Sequence, residues 1–125
     1  MKEHSPLFLR SVAVIKAIPE GKILTYSGVA NLISAPGCAR HVSFILSSSS
    51  KKYKLPWHRV INSQGRISLN LNNGYHIQKR RLQKENIEFI NEKIDLNEHE
   101  WKPTKTLLKK ILKGLPRHIP YSERT

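Results

Sequence analysis

Two short helical segments joined by a tight Pro-Gly turn are the feature that most constrains this fold. Thr25 can cap a first helix that runs from about residue 26 to residue 34. Residues 35–38 read Ala-Pro-Gly-Cys and form the turn, after which a second helix runs from about residue 39 to residue 47. Two short helices with such a connection are typical of a helix-turn-helix unit.

A longer helix precedes this unit and a polar loop follows it. Ser5 as N-cap and Pro6 as first helical residue begin the helix, and Pro19 with Gly21 ends it. Residues 47–52 are four serines and two lysines, a composition that predicts a polar loop.

A short β-hairpin and a basic helix are predicted next. Residues 60–61 and 67–69 can pair across a turn at residues 62–65, which would form a wing. Residues 77–84 form the basic helix, and Asn86 can take the left-handed conformation that stops it. The expected fold is therefore mainly α with a short β-hairpin, a winged helix-turn-helix-like domain.

The charge of the chain predicts a polyanionic partner. Of its 125 residues, 22 are Lys or Arg and 9 are Asp or Glu, a net charge of +13. Nucleic acid is the first candidate and a membrane surface the second. The apolar runs are cut by Arg10 and Lys16, so no transmembrane segment is expected. No signal-peptide core is expected either, so we expect an intracellular protein, cytoplasmic or nuclear. The single cysteine, Cys38, excludes an intramolecular disulfide, which fits a reducing compartment.

The segment Pro56-Trp57-His58-Arg59-Val60 carries the strongest functional signal. It resembles the Pro-Cys-His-Arg-Val active-site signature of O6-alkylguanine-DNA alkyltransferases, with tryptophan in place of the nucleophilic cysteine. In those enzymes a thiolate attacks the alkyl carbon on guanine O6 and keeps the alkyl group. An indole cannot perform this attack. The match is therefore to the alkyltransferase-like proteins, which keep the DNA-binding fold and the lesion pocket but lack the chemistry.

Further blocks of sequence resemble the same family in the same order. They are residues 18–30, 36–42, 61–69 and 74–101, so that the resemblance covers about residues 5–103. Several ordered blocks at the family's spacing make a chance match improbable. The resemblance implies one DNA-binding domain over these residues.

The resemblance also implies how an inaccessible base is reached. The O6 edge of guanine lies inside the duplex, so the nucleotide must be rotated out and the gap filled. Arg40 matches the family's arginine finger, and Tyr26 matches the tyrosine that helps to rotate the target phosphate. Ser43 stands where most relatives have glycine. The residues expected to contact DNA are Thr25, Ser27, Ala39, His41, Ser43, Lys51 and Lys52.

A pocket for the extruded base follows from the same resemblance. Trp57 offers a flat face for stacking. His58 matches the histidine that deprotonates the cysteine through water, and Glu85 matches the glutamate that orients it. Without a thiol, we interpret His58 as a structural hydrogen-bonding residue, and we expect Arg59 to pair within the domain. The expected pocket residues are Tyr53, Pro56, Trp57, His58 and Arg59.

The sequence thus predicts a monomeric, non-enzymatic sensor of O6-alkylguanine in duplex DNA that directs the lesion to nucleotide excision repair proteins. No cofactor is expected, and the scattered histidines with the lone Cys38 predict no metal site. One alternative is a lesion-independent helix-turn-helix protein with a DNA-binding or regulatory role. Another is a residual transferase that uses a different residue, for which Cys38 is a candidate.

Residues 104–125 lie beyond the resemblance and form a basic C-terminal extension. Residues 104–114 alternate leucine and isoleucine with lysine, which predicts an amphipathic helix. This helix can pack on the domain with solvated lysines, or it can hold DNA or a partner. Pro116, Pro120 and a polar end predict fraying after the helix.

Overall fold

The computed structural model describes residues 4–124, and helices dominate it. A 3-10 helix covers Trp57–Arg59, and two short strands are β1, Leu24–Thr25, and β2, Val60–Ile61. The mainly α fold that the sequence predicts is confirmed. The α-helices are α1 Pro6–Ala17, α2 Tyr26–Leu32, α3 Ala39–Tyr53, α4 Tyr75–Lys84, α5 Leu96–His99, α6 Lys105–Leu112 and α7 Tyr121–Arg124.

The limits of α1 follow from its capping residues. Oγ of Ser5 accepts a hydrogen bond from the backbone N–H of Phe8 at 3.2 Å. Pro6 occupies the first helical turn, where a missing N–H costs nothing. Ile18 is extended because the ring of Pro19 disfavours a helical conformation in the preceding residue. The predicted first helix is confirmed.

The predicted helix-turn-helix unit is also confirmed. Oγ1 of Thr25 accepts a hydrogen bond from the N–H of Gly28 at 2.9 Å, which begins α2. In the turn, the N–H of Ala35 donates to the carbonyl of Ala30 at 2.9 Å. Gly37 has a φ of +89°, a conformation that a side chain would strain. The two helices pack on each other and on α1.

Helix α3 is longer than predicted, and the polar loop expected at residues 47–52 is wrong. These residues continue the helix to Tyr53, and Lys54 ends it with a left-handed φ of 54°. The hydroxyls of Ser47 and Ser50 donate to carbonyls of the preceding turn. Burial of one helix face outweighs the weak helix preference of serine. The buried residues of α3 are Val42, Ile45 and Ser49.

The predicted β-hairpin is wrong in its pairing. β2 pairs in parallel with β1, and residues 67–69 are not a strand. The turn itself forms, because Oδ1 of Asn62 accepts hydrogen bonds from the N–H groups of Gln64 and Arg66. The chain then leaves β2 and buries Ile67.

The parallel pair is favoured because it lies between two hydrophobic clusters. Side chains alternate along a strand, so Leu24 and Val60 point into the first cluster. Their neighbours Ile23 and Ile61 belong to the second. The remaining buried members of the second cluster are Leu82, Ile87 and Ile94. A hairpin would have left β1 without this connection.

The basic helix predicted before Asn86 is confirmed as α4, and Asn86 has a φ of 65° that ends it. Gly74 precedes the helix with a φ of 106°. One side of α4 carries Leu82 into the second cluster, while Gln78 is buried beside β2. The helix thereby connects the second cluster to the 3-10 segment.

The C-terminal segment packs on the first cluster. Oγ1 of Thr104 caps α6, and α6 lies against α1. The side chains that α6 packs against the first cluster are Leu108, Ile111 and Leu112, while its lysines are exposed. The fraying expected after α6 is wrong, because Ile119 is only 2% exposed. Burial of this side chain anchors the segment between the two prolines. Among residues 4–124, every helix falls short of the length and apolarity needed to cross a membrane.

Candidate functional site

A cavity of about 610 Å³ opens between α3, the 3-10 segment and α4. Its size falls within the range of small-molecule pockets, about 300–1,000 Å³. Trp57 and Tyr26 provide its aromatic surface. The complete lining is Tyr26, Ser43, Leu46, Ser47, Ser50, Lys51, Lys54, Leu55, Trp57, Val60, Leu69, Asn73, Gln78 and Arg81. Lys51, Lys54 and Arg81 make this surface positive.

Trp57 is half-buried and is partnered by a cation from α4. Cζ of Arg81 lies 5.3 Å from the centre of the Trp57 ring, within the range of a cation–π contact. Gln78, one turn earlier on α4, donates from Nε2 to the carbonyls of His58 and Val60 at 3.1 and 3.0 Å. Side chains three apart share a helix face, so Gln78 positions Arg81 beside Trp57.

Sequence reasoning missed this side of the cavity. The sequence predicts Arg81 only as part of a basic helix and gives Gln78 no role. The available signal was the spacing of three residues, which places a polar and a cationic side chain on one face of α4. The cavity-lining residues Leu69 and Asn73 carry no comparable signal, because their position depends on how the loop after residue 66 folds.

The residues after Trp57 belong to a closed ionic cluster around Glu85. Nε2 of His58 lies 2.6 Å from Oε2 of Glu85. Nε and Nη2 of Arg59 donate to both carboxylate oxygens at 2.9–3.1 Å, and Nη1 donates to the carbonyl of Ile18 at 2.8 Å. Oε1 of Glu85 also accepts from the N–H of Gly21 at 2.9 Å. This cluster connects α1, the 3-10 segment and α4.

These contacts determine the ionisation of the cluster. Burial raises the pKa of Glu85, but the hydrogen bonds from Arg59, Gly21 and His58 outweigh burial and lower it to about 2. Burial also lowers the pKa of His58, against the opposing effect of Glu85. Glu85 is therefore a carboxylate, and a carboxylate only accepts hydrogen bonds. A neutral His58 with its proton on Nε2 can donate to this carboxylate, while its Nδ1 is buried without a hydrogen-bond partner among residues 4–124.

Of the five residues expected in the pocket, only Trp57 lines the cavity. Tyr53 packs against Phe8 with ring centres 5.4 Å apart. Pro56 precedes the 3-10 helix and lies outside the lining. His58 and Arg59 face Glu85, in agreement with the structural roles expected for them.

The residues expected to contact DNA differ in their exposure to solvent. Ser27, Arg40, Ser43, Lys51 and Lys52 are exposed, and Tyr26, Ser43 and Lys51 also border the cavity. The side chain of Thr25 is instead used as the cap of α2 and is 6% exposed. Ala39 and His41 are half-buried, and Nδ1 of His41 is buried without a hydrogen-bond partner among residues 4–124.

The remaining candidates for chemistry lie apart from the cavity. Cys38 is 1% exposed and is packed within the first cluster. Within residues 4–124, no group of three or more His, Cys, Asp or Glu side chains is placed to hold a metal ion.

Comparison with known proteins identifies the family. Residues 6–87 match the 6-O-methylguanine DNA methyltransferase DNA-binding domain. The chain is 46% identical over 93 residues to a DNA base-flipping protein of Vibrio parahaemolyticus, covering 73% of this chain and 91% of that protein. It is 38% identical over 92 residues to alkyltransferase-like protein 1 of Schizosaccharomyces pombe, covering 69% and 85%. The chain belongs to the alkyltransferase-like proteins.

Solved structures agree with this membership. The crystal structure of S. pombe Atl1 in complex with damaged DNA containing O6-carboxymethylguanine has a TM-score of 0.68 at 34% identity, covering 75% of this chain and 93% of that one. A Mycobacterium tuberculosis OGT in complex with DNA has a TM-score of 0.52 at 28% identity, covering 62% and 48%. The fold expected for an alkyltransferase-like protein is confirmed.

Proposed function

We propose that this chain is a DNA damage sensor that binds O6-alkylguanine in duplex DNA, rotates the nucleotide into the cavity beside Trp57 and leaves the alkyl group in place. The relatives support this proposal, because one is named a DNA base-flipping protein and the structure of another was solved in complex with damaged DNA. The net charge of +13 supplies the attraction to phosphates.

The observation that carries the proposal is Trp57 on the wall of a 610 Å³ cavity at the position of the family's nucleophile. An indole can stack on a base but cannot displace an alkyl group. His58 holds its Nε2 proton toward Glu85 and has no thiol beside it to deprotonate. Cys38 is too buried to replace the nucleophile. The site therefore supports binding without transfer.

The exposed residues of α2 and α3 have separate tasks in this proposal. Arg40, exposed in the first turn of α3, fills the position that the base vacates. Tyr26 lies on the cavity wall and helps to rotate the target phosphate. Ser27, Lys51 and Lys52 contact the phosphate backbone. Residues 5–103 form the DNA-binding domain in this proposal and contain all of these groups. Residues 104–125 are a C-terminal extension, and its helix α6 packs on α1.

A sensor without transfer activity leaves the lesion in the DNA, so the removal must be completed by other proteins. We propose nucleotide excision repair for this step, because that route excises the damaged strand without a chemical reaction at O6. The chain would act inside the cell as a monomer, without a cofactor or metal. A protein that holds an extruded base also presents distorted DNA to such a system.

Two measurements on the same duplex test the proposal. Binding at fixed salt is compared for one sequence with guanine and with a single O6-methylguanine, and we expect clearly tighter binding to the lesion. Equal affinities would favour the lesion-independent helix-turn-helix alternative. Incubation with a radiolabelled methyl group should leave the protein unlabelled, whereas stoichiometric labelling would contradict the absence of transfer.

A further inference from the structure

One line of side chains along α3 faces away from the core. Arg40, Phe44, Ser47 and Lys51 are spaced by four, three and four residues, which places them on the same side of a helix. Each of the four is exposed. The opposite side carries the buried Val42 and Ile45. Phe44 therefore projects in the same direction as the arginine proposed to fill the vacated base position.

The exposure of Phe44 is not explained by packing within the chain. Its side chain is 55% exposed, whereas Phe8 on α1 is 4% exposed in the core. Among residues 4–124, no aromatic ring or cation stacks on the Phe44 ring. A single exposed apolar side chain is common on protein surfaces. Its position between Arg40 and the cavity rim is the informative observation.

The cavity lies directly beside this line. Ser43 precedes Phe44 in the chain, Ser47 follows it one turn later, and both line the cavity. Along a helix axis, Arg40 and Phe44 are separated by about 6 Å. Adjacent bases in a strand are separated by about 3.4 Å. A helix that lies along a groove of the duplex would therefore present the Phe44 ring within about two base steps of the position that Arg40 fills.

We propose that Phe44 is a wedge that inserts between base pairs beside the extruded nucleotide. Apolar side chains such as phenylalanine enter base steps, unstack them and bend the duplex. Extrusion of one nucleotide already weakens stacking next to it, which lowers the cost of insertion. Arg40 fills the gap with a charged plane, and Phe44 stabilises the opened step with an apolar one. This inference rests on the function proposed above.

The wedge is tested with Phe44→Ala and Phe44→Leu, and Tyr121→Ala is the control because Tyr121 is a 79% exposed aromatic outside α3. Affinity is measured for a duplex with one O6-methylguanine, and its bend angle by energy transfer between dyes on its two ends. Phe44→Ala should weaken binding to the lesion about tenfold, since stacking of an aromatic ring on a base contributes on that order. The bend should decrease as well.

The control and the conservative variant make the result specific. Phe44→Leu should keep much of the bend because leucine is also an apolar wedge, and Tyr121→Ala should match the wild type in both measurements. Thermal unfolding of Phe44→Ala should be unchanged, because the side chain is exposed. An unchanged bend and affinity in Phe44→Ala, with lesion preference intact, would overturn the wedge alone. Equal binding of the wild-type protein to damaged and undamaged DNA would overturn the proposed function itself.

Discussion

Trp57 and the two residues after it lie in one turn of 3-10 helix but in opposite kinds of environment. Trp57 faces an open cavity, where its partner is the exposed cation Arg81. His58 and Arg59 face the buried carboxylate of Glu85, where nearly every polar group is paired. The contacts of His58 and Arg59 with Glu85 hold the backbone of the 3-10 helix in place, so Trp57 can present a flat ring to the cavity without support from a ligand. Under the proposed function, stability and recognition thus depend on neighbouring residues.

Replacement of Glu85 should produce the largest effect in this comparison. Glu85→Gln leaves Arg59 without its counter-ion and weakens the hydrogen bond to His58, and removal of one member of a buried pair costs about 3 kcal/mol. Urea unfolding measures the loss. The control is Glu92→Gln, because Glu92 pairs with Lys79 on the surface and should lose less than about 1 kcal/mol. Equal losses in the two variants would contradict a special role for the cluster.

Acid should weaken the same cluster in a defined pH range. The pKa of Glu85 is about 2 when folded and 4.5 ordinarily, so the unfolded chain takes up the proton first. Its contribution is complete above about pH 4.5 and is lost as the pH falls toward 2. His58, whose pKa is also lowered, adds a loss of stability that begins below its ordinary value of 6.5.

Urea unfolding at a series of pH values checks this range. The difference in unfolding free energy between the wild type and Glu85→Gln should shrink as the pH falls from 4.5 toward 2. The reason is that protonation of Glu85 removes the same charge as the substitution does. A difference that stays constant across this range would show that the carboxylate charge does not stabilise the fold.

Trp57→Ala should affect binding more than stability, in contrast to Glu85→Gln. The half-buried ring borders the cavity, and its removal takes away a stacking surface that contributes about 1–3 kcal/mol per base. Affinity for O6-methylguanine should fall while affinity for undamaged DNA stays the same, as measured at one salt concentration. A sharply lower melting temperature, with an unchanged preference of the folded molecules for damaged over undamaged DNA, would show that Trp57 stabilises the fold instead.

Arg81→Gln should have the smallest effect. A cation–π contact at an exposed site contributes about 0.5–1 kcal/mol, so lesion affinity should change by about threefold. Arg80→Gln is the matched control, because Arg80 is an exposed neighbour on α4 that does not line the cavity. If both variants change binding equally, Arg81 contributes only its general charge. If Arg81→Gln alone changes lesion preference, α4 contributes to recognition at the cavity together with Trp57.

The sequence alone determined the features that depend on residues close together in the chain. Ser5 and Thr25 each cap a helix by accepting a hydrogen bond from the N–H group three residues later. Gly37 turns the chain with a positive φ, which is favourable because glycine has no side chain. The replacement of the nucleophile by Trp57 is likewise visible in a short motif and already excludes the transferase reaction at that position. These interactions need no information about the rest of the molecule, and so they were predicted.

Tertiary structure decided which distant segments meet. β2 pairs with β1 rather than with residues 67–69 because this pairing joins two hydrophobic clusters. The resulting burial of apolar side chains cannot be predicted from the sequence of either strand alone. The same long-range burial extends α3 through its serines and anchors Ile119. Arg81 reaches Trp57 because Leu82 and Gln78 fix α4 against the second cluster and β2. Caps and turns follow from local hydrogen bonds, whereas strand partners and cavity walls follow from burial summed over the whole chain.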